Sequence, residues 1–143
     1  PGLSNYLLDV SEETQIKLEE YIQETKIEGL NVISEGNIPP NPSELLVSEA
    51  MINLLEKLKE IYDIIILDGP PTQLVTDSLI LTRLVDSTVI VSASNETKKD
   101  NLHKIIDRIH NVEGKISGIV LNKVVVSAKE YKSKYYYREE NEK

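Results

Sequence analysis

Residues 63–71 read DIIILDGPP, four consecutive aliphatic side chains with Asp at each end and a Gly-Pro-Pro turn behind them. A continuous apolar run of this length is typical of a parallel strand that is covered on both faces. On either side of it, strand patterns alternate with helical patterns, which indicates right-handed βαβ units. The sequence therefore predicts an α/β fold in which helices flank a parallel sheet.

Hydrophobic periodicity and turn residues place the other elements. Helices are predicted for residues 12–24, 76–85 and 99–111, and strands for residues 30–34, 63–68, 87–93 and 116–126. A further helix begins at Pro42, because Asn41 can cap it and Glu44 can complete a capping box. Its apolar stripe comprises Val47, Met51, Leu54, Leu55 and Leu58.

Composition restricts the class of protein. The formal net charge of the 143 residues is −8, which argues against a nucleic-acid partner, since such proteins neutralise phosphates with a basic face. There is no Cys, which excludes a disulfide framework and a thiolate metal site and fits a reducing cytosol. No apolar run approaches the ~20 residues that span a bilayer. Because residue 1 is Pro, the chain is expected to be a processed, truncated or partial product.

The end of the DIIILD run is the strongest candidate site. A parallel strand would deliver Asp68 to the carboxyl edge of the sheet, where α/β proteins place their ligands. In P-loop NTPases a carboxylate at this point, the Walker B Asp, holds Mg²⁺ beside the nucleotide phosphates. The alternative interpretation is an ordinary strand end followed by a Pro-rich turn.

A second candidate is Asn122, which ends the run GIVLN at residues 118–122. Its amide can both donate and accept hydrogen bonds, as a nucleobase edge requires. A polar residue that merely ends a strand is the alternative, but the combination with Asp68 favours a contact with adenine.

The C-terminus is the third feature. The sequence has seven Tyr and neither Phe nor Trp, and four of the Tyr fall in its last thirteen residues: Tyr131, Tyr135, Tyr136 and Tyr137. Lys132 and Lys134 lie between them, and Lys129 and Arg138 flank them. Each Tyr is a potential phosphate acceptor, and each phosphate would add about −1.5 to −2 charges to this basic segment. A sticky tail, or a strand added to another protein, is the alternative.

Taken in order, these features resemble the bacterial protein-tyrosine kinases of capsular and exopolysaccharide synthesis (the CpsD/CapB type). The motifs that carry the resemblance are GLSNYL at residues 2–7, PPNPSELL at 39–46, YDIIILDGPP at 62–71, VTD at 75–77, GIVLN at 118–122 and the terminal tyrosines. Each motif is moderately specific, and their order along nearly the whole chain makes the resemblance strong.

The resemblance implies a P-loop NTPase-like fold of the MinD/ParA type that uses ATP and Mg²⁺. Residues 1–126 would be the C-terminal portion of the kinase domain, with Asp68 as catalytic residue and Mg²⁺ ligand and Asn122 as adenine contact. Residues 127–143 would be the tail, phosphorylated at Tyr131, Tyr135, Tyr136 and Tyr137.

In the family, transfer of the γ-phosphate occurs in trans between neighbouring kinase subunits of a ring. A membrane activator, the polysaccharide copolymerase, switches the kinase on, and phosphorylation controls polysaccharide synthesis and export. The resemblance therefore implies a cytoplasmic protein that is peripheral at the inner face of the membrane.

The sequence departs from the family's pattern in two respects. The phosphate-binding motif G-x-x-x-x-G-K-[ST] and the second Asp-bearing motif do not occur, so both are expected before Pro1, and the chain by itself is not expected to turn over ATP. Gly69 stands where the family commonly carries Thr. Two other functions stay open: a MinD/ParA-like ATPase that is not a kinase, and a non-catalytic module that accepts phosphate from another kinase. The tyrosine cluster favours the kinase.

Other polar groups are interpreted as structural. His103, Asp107 and His110 share one helix face at a spacing that could hold a metal, but the face lies opposite an apolar stripe and is expected to be solvated. Asp77 is interpreted as a helix-start acid that the helix dipole favours. Lys98 and Lys99 are assigned to a solvated loop near the site.

Overall fold

A computed structural model of the chain describes residues 1–12, 16–71 and 77–125. The helices of these residues are α1 (Leu3–Glu12), α2 (Pro42–Leu46), α3 (Glu49–Lys59), α4 (Asp77–Leu84) and α5 (Lys99–Asn111), with a 3-10 turn at Leu18–Glu20. The strands are β1 (Gln23–Glu24), β2 (Asn31–Val32), β3 (Thr88–Ala93) and β4 (Ile116–Asn122). β1 and β2 form an antiparallel hairpin, whereas β3 and β4 pair in parallel across the α5 crossover. The parallel pair with its crossover helix confirms the α/β class.

The larger core lies between α1 and α3. Its most deeply buried side chains, Tyr6, Leu7, Met51 and Leu54, are at most 2% exposed. Together with Leu3 and Val10 of α1 and Leu55 and Leu58 of α3, they lie three or four residues apart along one face of each helix, which is why the two helices pack against each other. Tyr6 also meets Tyr21 edge to face at 5.2 Å between ring centroids.

Over the described residues 16–24 the predicted helix is wrong, although two of its apolar residues, Leu18 and Tyr21, are buried. Leu18 and Tyr21 each keep only 7% of their surface exposed, but they lie on the 3-10 turn and beside the β1–β2 hairpin. The Thr25 hydroxyl accepts from the Ile27 N–H and donates to the Leu30 carbonyl, and Gly29 takes a φ of +77° in the same turn. These local bonds compete with the helix and close a hairpin instead.

The helix that begins at Pro42 is two helices. Ser48 has an extended backbone, and its Oγ accepts from the Met51 N–H at 3.3 Å, so it caps α3 and interrupts the predicted helix. Val47 consequently falls outside the buried stripe and is 58% exposed. Asn41 makes no side-chain cap to the backbone of α2; its Nδ2 donates to Glu44 Oε2 at 3.2 Å instead.

The strand predicted for the DIIILD run is not formed: residues 63–68 are in no ladder with the described strands and are not covered on both faces. Ile65 and Leu67 pack against the larger core, whereas Ile64 is 78% and Ile66 is 84% exposed. A ladder needs a neighbouring strand, and within the described residues none pairs with this run. We refer to residues 63–68 as the apolar segment.

The C-terminal half confirms α4, β3 and α5 within the residues described. Ile90 of β3 and Ile105 and Ile109 of α5 form a second, smaller core. Only one face of β3 is covered, because Val89 and Val91 are 54% and 65% exposed. β4 ends at Asn122, four residues earlier than predicted.

Candidate functional site

Asp68 lies at the end of the apolar segment, with its side chain exposed. The chain then turns through Gly69 and Pro70, and the Pro70 carbonyl accepts a hydrogen bond from Ser78 Oγ at 2.5 Å. Because the proline ring fixes φ, Pro70 and Pro71 restrict the backbone of the turn after Gly69. Asp68 is therefore presented to solvent by a strand-like segment and a turn that α4 holds.

A groove of about 980 Å³ runs between this segment and β3. Asp68 and Pro70 line one side of it, and Ala93, Glu96 and Thr97 line the other side at the carboxyl end of β3. The lining between these ends is largely aliphatic. The structure thus brings Asp68 and the carboxyl end of β3 to one opening, where parallel sheets bind their ligands.

Asn122 lies at the same edge of the sheet, one strand further along. It pairs in register with Ala93, and its carbonyl accepts from the Ser94 N–H at 2.8 Å. Its side-chain Oδ1 accepts from the Lys123 N–H at 2.7 Å. Asn122 is exposed and does not line the groove itself, so it stands beside the opening rather than inside it.

Lys123 and Glu96 brace the region around Asn122. Lys123 has a φ of +57°, in the left-handed region, so the β conformation ends there. Its Nζ lies 2.8 and 3.0 Å from the two carboxylate oxygens of Glu96. Thr97 Oγ1 accepts from the Ala93 N–H at 3.0 Å and holds the other end of the same loop.

The chemistry of a magnesium site is compatible with Asp68. Mg²⁺ prefers hard oxygen ligands, keeps several waters and needs only one or two carboxylates. Among the residues described, no group of three His, Cys, Asp or Glu side chains could hold a metal, so Asp68 would act as a single carboxylate with water and phosphate oxygens. His103, Asp107 and His110 are all exposed, as expected for a solvated face.

The other predicted residues are placed as follows. Asp77 lies in the first turn of α4, as predicted, and accepts a hydrogen bond from Ser43 Oγ. Lys98 precedes the first residue of α5, Lys99, and both are exposed. The tyrosine cluster, Tyr131, Tyr135, Tyr136 and Tyr137, lies outside the described residues.

Sequence reasoning missed Ser43, Ser78 and Thr97. Ser78 is 6% exposed, and a small polar residue in the first turn of a helix was the available signal. That signal does not say which distant carbonyl the hydroxyl reaches. In the described part of the chain, no helix is long and apolar enough to cross a membrane.

Comparison with known proteins agrees with this arrangement. The AAA domain family model matches residues 3–123. The chain is 35% identical over 136 residues to a Staphylococcus aureus protein named "Putative tyrosine-protein kinase CapB", covering 95% of this chain and 56% of that protein. It is 34% identical over 108 residues to the tyrosine-protein kinase CpsD of Streptococcus pneumoniae, covering 76% of this chain and 48% of CpsD.

A solved structure agrees with the sequence comparison. The crystal structure of the chimerical protein CapA2B2 superposes with a TM-score of 0.79 at 36% identity, over 87% of this chain and 53% of that one. The chain thus spans about half the length of the relatives it matches. From the family model that matches residues 3–123 and from the parallel sheet, the chain belongs to the AAA-domain family of P-loop NTPase-like proteins, and the relatives it matches include proteins named tyrosine-protein kinases.

Proposed function

We propose that this chain is the C-terminal portion of an ATP-dependent protein-tyrosine kinase that phosphorylates its own terminal tyrosines. The observation that carries the proposal is the similarity to a tyrosine-protein kinase over 95% of the chain, with Asp68 at the end of the apolar segment. In this function Asp68 is the catalytic carboxylate that holds Mg²⁺ on the ATP phosphates, and Asn122 contacts the adenine.

The same assignment gives the two parts of the chain different functions. Residues 1–126 form the nucleotide-binding portion, and residues 127–143 form the acceptor tail with Tyr131, Tyr135, Tyr136 and Tyr137. Phosphoryl transfer depends on positioning and on neutralising charge, so the chain's own part is to hold the metal and the base at one sheet edge. The phosphate cradle must come from polypeptide that these residues do not include, since they contain no G-x-x-x-x-G-K-[ST] motif.

We assign the tail of one subunit to the site of its neighbour in a ring. The partner that activates the kinase is a membrane protein of polysaccharide synthesis, which would keep the kinase at the inner face of the membrane. The product of the reaction then regulates capsule or exopolysaccharide synthesis and export.

Two carboxylates of the apolar segment make a matched test of the site. Asp63 and Asp68 stand at opposite ends of the same segment, and both are exposed. Asp68→Asn in the complete encoded protein should lower autophosphorylation by at least a hundredfold, because the carboxylate that holds the metal is lost. Asp63→Asn should leave it unchanged. Mass spectrometry after incubation with ATP and Mg²⁺ measures the phosphate on each tyrosine.

Mixing variants tests transfer between subunits. An Asp68→Asn protein with an intact tail is combined with a protein whose four terminal tyrosines are Phe. Phosphate on the tail of the Asp68→Asn protein supports transfer in trans. ATP hydrolysis with no phosphotyrosine would instead favour the non-kinase ATPase, and phosphate that arrives only from an added kinase would favour the accepting module.

A further inference from the structure

Two side-chain hydrogen bonds meet at the start of α4. Ser78 Oγ donates to the Pro70 carbonyl, and Asp77 Oδ1 accepts from Ser43 Oγ at the start of α2. Ser78 is nearly inaccessible to solvent, at 6% exposure. The two bonds join three separate parts of the chain: the turn that follows Asp68, the first turn of α4 and the first turn of α2.

The turn after Asp68 depends on such an anchor. Within the described residues no strand pairs with the apolar segment that carries Asp68, so in this part of the chain a side-chain bond holds the turn. Gly69 adds conformational freedom directly after Asp68. Pro70 has no N–H, and its carbonyl is the group through which α4 holds the turn.

The position of Ser78 in its helix makes this bond available. Ser78 lies in the first described turn of α4, and its hydroxyl donates to a carbonyl outside that helix, Pro70 O. Thr82, one turn later and 5% exposed, shows the alternative, because its Oγ1 donates to the Leu79 carbonyl of its own helix at 2.8 Å. Of these two buried hydroxyls, Ser78 therefore binds a carbonyl outside α4 and Thr82 binds one inside it.

We propose that Ser78 and Asp77 are positioning residues for Asp68, acting on the metal site through the Pro70 turn and through α2. Ser78 holds the turn that aims the Asp68 carboxylate, and Asp77 with Ser43 fixes the end of α4 from which Ser78 reaches. The proposal rests on the proposed function in one respect, that Asp68 holds the divalent cation of the nucleotide. It adds residues whose side chains touch neither the metal nor the nucleotide.

The test uses the complete encoded protein with Mn²⁺ as the probe, in the presence of ADP. Ser78→Ala should weaken Mn²⁺ binding, measured by electron paramagnetic resonance, by roughly tenfold, the size typical for residues behind a metal ligand. It should also speed hydrogen exchange at the Asp68 and Gly69 amides. Ser78→Thr keeps the hydroxyl and should restore both values.

Thr82→Val is the matched control, since it removes a buried hydroxyl that bonds only within α4. It should lower the Tm without changing Mn²⁺ affinity or exchange at Asp68. Ser43→Ala should shift both readouts in the direction of Ser78→Ala but less, and it supplies the test if Ser78→Ala does not fold. Ser78→Ala or Ser43→Ala proteins that lose Tm alone, with Mn²⁺ affinity and exchange unchanged, overturn the proposal.

The two proposals fail in different ways. If the wild-type protein binds no Mn²⁺ with ADP, the metal role of Asp68 is wrong and the proposal falls with it. If the wild type binds Mn²⁺ and Ser78→Ala binds it equally well, the function of Asp68 stands and the positioning role alone is wrong.

Discussion

The helices of residues 1–62, the helical region, and the extended chain and strands of residues 63–125, the sheet region, differ in how fully their neighbours cover them, although Ile90 and Ile109 of the sheet region are also buried. In the helical region Met51 and Leu54 are each 1% exposed. In the sheet region Ile66 and Val91, equally apolar, are 84% and 65% exposed. Side-chain hydrophobicity is the same in both regions, so the difference lies in the neighbours each region has within the described residues.

Within the described residues, the apolar segment and β3 have fewer neighbours than their apolar side chains need for burial. The apolar segment has one covered face, and β3 has one covered face and one strand partner. Exposed apolar strands of this kind invite pairing with further polypeptide. The solved relative is about twice as long as the matched part, which gives such polypeptide a source in that protein.

The largest expected effect is a loss of stability from a truncated core side chain in the helical region, which the same kind of truncation in the sheet region should not cause. Leu54→Ala should lower the free energy of unfolding by about 2–5 kcal/mol, because it leaves a cavity in a closed core. Ile66→Ala should change it by about 0.5 kcal/mol or less, because the side chain is mostly in water. Urea denaturation of the 143-residue chain measures both. Equal losses for the two variants would contradict the comparison.

The helix and strand patterns of the sequence predict α4, α5, β3 and β4 because those signals are local. Each is an amphipathic or apolar run whose main partner is its own neighbour in the chain, as α5 is for β3. Residues 12–24 have helical periodicity too, but the bonds of Thr25 and the turn at Gly29 outweigh it. Leu18 and Tyr21 are buried, as the periodicity predicts, but Thr25 of the same stripe is exposed, and no helix carries these residues.

The candidate site was partly predictable for a similar reason. The expectation that strand ends gather the site residues holds to this extent: Asp68 lines the same groove as Ala93, and Ala93 pairs with Asn122 at the carboxyl end of the parallel pair. Full burial of the apolar segment was not borne out, because burial depends on neighbours that a local pattern does not specify. The bond from Ser78 to Pro70 was out of reach, since a serine at a helix start does not indicate which carbonyl it meets.

Gly36 of the helical region and Gly69 of the sheet region differ in the space around their Cα atoms. Gly36 has a φ of +82°, and a Cβ there would lie 2.5 Å from Asn5 Oδ1 and 2.6 Å from Ser4 Oγ. Gly36→Ala should therefore destabilise the chain by roughly 1–3 kcal/mol through left-handed strain and overpacking. The helical region has no room for even one methyl group at this point.

Gly69 is the counterpart in the sheet region. A Cβ there would meet Leu81 Cδ1 at 3.4 Å and Ser78 Oγ at 3.8 Å, and the φ of Gly69 is not positive. Gly69→Ala should raise the free energy of unfolding by about 0.4–1 kcal/mol, because it restricts the unfolded chain without a clash. Thermal unfolding of the two variants should show a lower Tm for Gly36→Ala and a higher Tm for Gly69→Ala than for the wild type. A similar decrease in Tm for both variants would refute the difference between the two positions.

The smallest expected effect concerns an exposed ion pair of the sheet region, Glu96 with Lys123. Glu96 and Lys123 join the loop after β3 to the end of β4, and their side chains are 61% and 60% exposed. Water and salt screen such a pair, so Glu96→Gln should lower the free energy of unfolding by about 0.2–1 kcal/mol at low salt and by nothing measurable near 1 M salt.

The matched control is Glu113→Gln, which removes the same charge from an exposed residue that is in no ion pair among those described. Hydrogen exchange at the Ser94 amide, which donates to the Asn122 carbonyl, should quicken only in Glu96→Gln. A salt-independent loss, or equal exchange in both variants, would mean that the hydrogen-bonded loop holds Asn122 without the ion pair.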